Sequence, residues 1–98
     1  MSRGASFDAL KAEWATDPEF ERAYEEADVA MRLGQRVREL RCAQNLSQAK
    51  LARLASIPAA AVARVELGSP DIRLQTIARI SHVLGMTLVL DLVPPSAA

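Results

Sequence analysis

The 98-residue sequence predicts an all-α fold of five helices, with a helical arm in front and a single strand behind. Three patterns predict it. Apolar residues recur three and four apart through most of the chain. Leu51, Ala52, Ala55, Ile57, Val62 and Val65 fall where two short helices and a tight turn need them. After Gly85 the period changes to the alternation of a strand, with Met86, Leu88, Leu90 and Leu92 on one side.

Phe7, Leu10 and Trp14 form one stripe of a short amphipathic helix. Asp17-Pro18 interrupts it, and Asp17 can cap the next helix. Phe20, Tyr24, Ala27 and Met31 make a first stripe of that helix, and Leu33, Val37 and Leu40 a second. A helix is therefore predicted over 18–43, with a bend at Gly34. Gln44-Asn45 is a loop. Ser47 can cap a helix over 47–54 by accepting a backbone N–H bond. Ser56-Ile57-Pro58 breaks the pattern, and Pro58 suits the first position of a helix over 58–66. Gly68 is free to stop that helix in a left-handed conformation. Ser69-Pro70-Asp71 is a turn. Leu74, Ile77, Ile80, Val83 and Leu84 give another buried helical face, ended by Gly85. Met86, Leu88, Leu90 and Leu92 then alternate with Thr87, Val89, Asp91 and Val93 up to Pro94-Pro95. The chain divides into an acidic helical arm (1–28), a helix–turn–helix body (29–85) and a strand with its tail (86–98).

The strand has no mate within the chain. Unpaired backbone N–H and C=O groups are costly when buried. The cheapest remedy is the same strand from a second copy, antiparallel across a two-fold axis, with Leu88, Leu90 and Leu92 as the dimer face. The alternative is a tail lying on its own helices.

Net charge is zero, but it is divided. Residues 1–28 carry eight acids against three bases, and residues 29–98 carry nine bases against four acids. A basic body suits nucleic acid, and an acidic arm suits a basic protein or is simply a solvated helix. No apolar run approaches a membrane helix, and the polar, acidic N-terminus does not read as a secretory signal. The single Cys42 can form no internal disulfide and reads as an unreactive, partly packed residue of an intracellular, cytoplasmic protein. His82 has no Cys or acidic neighbour at ligand spacing, so no metal is expected. No phosphate loop and no nucleophile–base arrangement is present, so neither an enzyme nor a cofactor is expected.

Residues 29–93 resemble the lambda-repressor/Cro-like (XRE) helix-turn-helix family. The matching residues are Leu40-Arg41, Leu46-Ser47-Gln48, Leu51-Ala52, Val62-x-x-Val65-Glu66 and Gly68. Leu74-x-Thr76-Ile77-x-x-Ile80, Leu84-Gly85, the segment Leu88–Pro94 and the upstream Asp17-Pro18-Glu19-Phe20-x-x-x-Tyr24 narrow the likeness to HigA-type antitoxins of bacterial toxin–antitoxin pairs. The resemblance implies a lambda-repressor-like fold whose second short helix enters the DNA major groove. It implies that Gln48 contacts phosphate from the start of its helix, beside Ser47 and Lys50, and that Arg41 and Glu66 form a structural pair. Ala59 and Ala60 match positions that often carry base-reading side chains. Alanine can only touch a thymine methyl, which leaves Arg64 as the one long polar side chain on that face. Asp71 follows where a basic residue would help binding more.

The resulting expectation is an antitoxin that silences a RelE/HigB-like ribonuclease toxin and represses its own operon as a homodimer. Its partners are operator DNA, the toxin and a second copy, and no membrane. Phe7, Leu10, Trp14, Phe20 and Tyr24, set among acids, read as toxin anchors, or as residues folded onto the chain's own core. The competing functions are a stand-alone XRE-type regulator and an interaction module that has lost DNA binding.

Overall fold

The computed structural model describes residues 17–95. Four helices follow in order: α1 (Pro18–Ala43), α2 (Gln48–Ala55), α3 (Ala59–Glu66) and α4 (Leu74–Val83). The fifth helix expected from Phe7, Leu10 and Trp14 lies outside the described residues.

Each helix starts and stops for local reasons. Asp17 caps α1 by accepting the Glu19 N–H at 3.0 Å, with Pro18 in the first turn. Ser47 Oγ accepts the Lys50 N–H at 3.0 Å and opens α2. Pro58 stands one place earlier than expected, as the cap residue of α3. All four helices end alike. The residues Asn45, Ser56, Gly68 and Gly85 take positive φ. At each, two backbone N–H groups turn back onto the last carbonyls, as in Gly68 N to Val65 O and Ser69 N to Arg64 O, both 3.1 Å.

The core lies where α2, α3 and α4 meet the second half of α1. Leu51, Val62, Val65 and Ile80 are fully buried, with Val37, Ala52, Ile77 and Leu84 around them. Each of the buried valine, leucine and isoleucine side chains contributes about 1.5–3 kcal/mol through removal from water. α3 packs on both α2 and α1, and α2 packs on α4. No buried side-chain polar atom among the described residues lacks a hydrogen-bond partner.

Gly34 has a different task from the expected bend. α1 runs unbroken through it. Gly34 is buried where α3 crosses, and a Cβ there would run into the Val65 carbonyl oxygen. The glycine thus lets two backbones approach. Leu74, expected to be buried, is exposed at the first position of α4, before the helix turns onto the core. Cys42, expected to be partly packed, is also exposed.

The expected strand is not formed: residues 86–95 carry no regular secondary structure. Alternation sets only which way side chains face, whereas a strand exists by pairing with a second edge, and one chain supplies none. The three leucines consequently share no common fate. Leu88 packs against the core, Leu90 borders a groove beside α1, and Leu92 is 99% exposed.

Candidate nucleic-acid interface

α3 presents two unlike faces. Val62 and Val65 are buried, while Ala59, Ala60 and Arg64 are exposed. Ala60 and Arg64 lie four apart and so share a side of the helix. The result is a smooth surface of methyl groups with one guanidinium a turn later. The hydrogen-bonding capacity of this surface is concentrated in one side chain.

The helix is held at a fixed angle by a three-residue polar cluster. Arg41, on α1, donates from Nε to Glu66 Oε2 at 2.6 Å and from Nη2 to Glu66 Oε1 at 2.9 Å. Its Nη1 donates to the Leu46 carbonyl at 2.8 Å. Gln48, at the start of α2, donates from Nε2 to Glu66 Oε1 at 3.0 Å. One carboxylate at the end of α3 therefore ties together all three helices. The Arg41 and Glu66 side chains keep only 14% and 5% of their exposure. Burial works to raise the Glu66 pKa, but hydrogen bonds from Arg41 and Gln48 and the charges of Arg41 and Arg38 hold it below the ordinary glutamate value. The hydrogen bond to Glu66 raises Arg41 against the opposing effect of burial.

The cluster brings together Arg41, Glu66 and Gln48, of which the sequence joined only the first two. Gln48 is half-buried and engaged with Glu66, so its side-chain amide enters any phosphate contact from a position already fixed by protein. Ser47 is occupied in capping, and Lys50 is exposed. Lys50, Arg53 and Arg73 are exposed and make no salt bridge with the described residues.

Arg64 is not unpartnered. Its Nη2 reaches Asp71 Oδ2 at 3.1 Å and the Asp71 carbonyl at 3.4 Å. The sequence marked Asp71 only as an unhelpful charge. The seven-residue separation across the Ser69-Pro70 turn matches no helical spacing, so no pattern announces the pair. The two residues border a recess of about 360 Å³ between α3 and the start of α4, lined also by Ala61, Ile72, Arg73 and Thr76.

Phe20 and Tyr24 lie half-buried on the first turns of α1, their ring centroids 6.2 Å apart and tilted by 35°. Phe7, Leu10 and Trp14 lie outside the described residues. Further along α1, a groove of about 390 Å³ runs between Val29, Leu33, Ile72, Leu74 and Leu90, with Glu25 and Glu26 at its side. His82 is exposed, and among the described residues no group of His, Cys, Asp and Glu could hold a metal ion. No described helix is long and apolar enough to cross a membrane.

Residues 37–90 match the family model described as helix-turn-helix, which takes in α2, α3, α4 and the end of α1. No curated protein matches the chain.

Proposed function

The chain belongs to the helix-turn-helix family of DNA-binding regulators, and from that membership we propose that it is a dimeric operator-binding repressor that also serves as an antitoxin. The observation that carries the DNA half is the exposed Ala59–Ala60–Arg64 surface of α3, held rigidly by Arg41, Glu66 and Gln48. Phosphate contacts from Gln48, Lys50 and the start of α2 position the protein, and Arg64 supplies the base contact. With few direct contacts, DNA shape provides part of the specificity.

In the same reading the chain dimerises through its tail. Leu92 is 99% exposed on a segment with no strand partner among the described residues, and the leucine face of a second copy of residues 86–93 would cover it. Two recognition helices then fall on half-sites one DNA turn apart.

The antitoxin half rests on the charge division and on α1. A ribonuclease that grips RNA must carry a positive surface. Glu19, Glu21, Glu25 and Glu26 on the first turns of α1, beside Phe20 and Tyr24, offer that surface charge and apolar contact together. Residues 1–28 form the neutralising arm in this reading. Its test is genetic. A neighbouring gene for a small basic RelE-like protein should arrest growth alone and lose that effect when co-expressed with this chain. The Phe20→Ala/Tyr24→Ala variant should fail to rescue growth while retaining operator binding. Rescue by that variant at wild-type level would remove those two residues from the toxin contact. Loss of operator binding in that variant would place them in the DNA-binding body instead.

A further inference from the structure

We propose that Asp71 is a positioning and specificity-determining residue: it holds the Arg64 guanidinium for a base edge and turns it away from phosphate. The inference rests on the operator-binding reading above. The two charges meet at 3.1 Å, yet their side chains are 56% and 90% exposed. A pair so exposed contributes little to stability, so its consequence lies in what approaches it.

An arginine alone on the surface of α3 would bind any phosphate within reach, and such contacts carry no sequence information. Asp71 alters that preference in two ways. Its carboxylate cancels the guanidinium charge toward an anionic acceptor. Toward a neutral acceptor it does not compete in the same way, because it takes only Nη2 and leaves Nε and Nη1 without a hydrogen bond to the described residues. Guanine offers two neutral acceptors, O6 and N7, to such a fork. A carboxylate-held arginine also has less rotamer freedom to lose on binding. Ala59 and Ala60 place no other hydrogen-bonding side chain at the start of that face. Discrimination on α3 therefore depends on which acceptor Arg64 takes.

The test uses the full chain and two duplexes, one enriched from a random pool by the wild type and one scrambled from it. Binding is titrated at two salt concentrations for wild type, Asp71→Asn, Arg64→Ala and the double variant. Asp71→Asn should tighten binding to the scrambled duplex roughly three- to tenfold, with the salt dependence steeper by about one phosphate contact. The gain on the enriched duplex should be smaller, so the ratio between duplexes falls. In the Arg64→Ala background, Asp71→Asn should leave that ratio unchanged. An equal gain on both duplexes would reduce Asp71 to a plain repulsive charge and overturn the inference, as would no change on either. A wild type that enriches no duplex from the random pool would overturn the operator-binding reading itself, and this inference with it.

Discussion

Arg41 and Glu66, 25 positions apart in the sequence, meet through two parallel hydrogen bonds of 2.6 and 2.9 Å, with each carboxylate oxygen taking one. The geometry joins the first helix to the end of the third, and little water reaches it. Removing one partner strands the other. Glu66→Ala should therefore cost about 1–3 kcal/mol, since a partly buried guanidinium is left without its counter-charge. Arg41→Lys should also lose stability, because an ammonium cannot reproduce the fork. Urea unfolding followed by circular dichroism checks both.

The same pair gives a pH dependence. Glu66 is held below its ordinary pKa in the folded chain, so the unfolded chain takes up the proton first. Its contribution is complete above the unfolded glutamate value and is lost as pH falls through the folded one. The urea midpoint should hold steady from neutral pH and decline as pH falls below the ordinary glutamate value. In Glu66→Gln the part of that slope due to this group should vanish, leaving a flatter profile.

Gly34→Ala should destabilise the protein by about 1–3 kcal/mol, although alanine is the better helix former. The added methyl would strike the Val65 carbonyl and press within 3.1 Å of the Glu66 carbonyl, forcing α1 and α3 apart. The thermal midpoint should fall, and operator affinity should fall with it because the recognition helix shifts. A variant that melts at or above the wild type would show that the crossing has slack.

The sequence made most of the helical body readable because the elements are defined locally. Asp17 and Ser47 cap, Gly68 and Gly85 stop, and within single helices Leu51 and Ala55, Val62 and Val65, and Ile77 and Ile80 recur three or four apart. The strand expected at 86–93 is not formed within the single chain for a physical reason. Alternation belongs to the sequence, but pairing needs a second edge, and one chain has none. The Arg41–Glu66 pair came from family likeness. The bond from Gln48 to the same carboxylate and the Arg64–Asp71 pair had no signal, because side-chain contacts across turns follow no period. Asn45 and Ser56 end helices in the left-handed region as the glycines do, and neither residue type announces that reliably.

The tail carries the dimer proposal, and Leu92 tests it cleanly. Its side chain is 99% exposed, so Leu92→Glu should leave the folded chain intact. In sedimentation at micromolar concentration the wild type should run as a dimer and Leu92→Glu as a monomer. A monomeric wild type would remove the strand-paired dimer.

The most direct measurement is selection of duplexes from a random pool by the purified full chain, followed by sequencing and titration of the winner. The expected outcome is a near-palindrome with half-sites about 10 base pairs apart. Arg64→Ala should lose about 1–3 kcal/mol on it and relax preference at one position per half-site. Gln48→Ala should weaken all duplexes alike. A pool that emerges with no enriched sequence, bound equally by wild type and Arg64→Ala, would contradict sequence reading by α3.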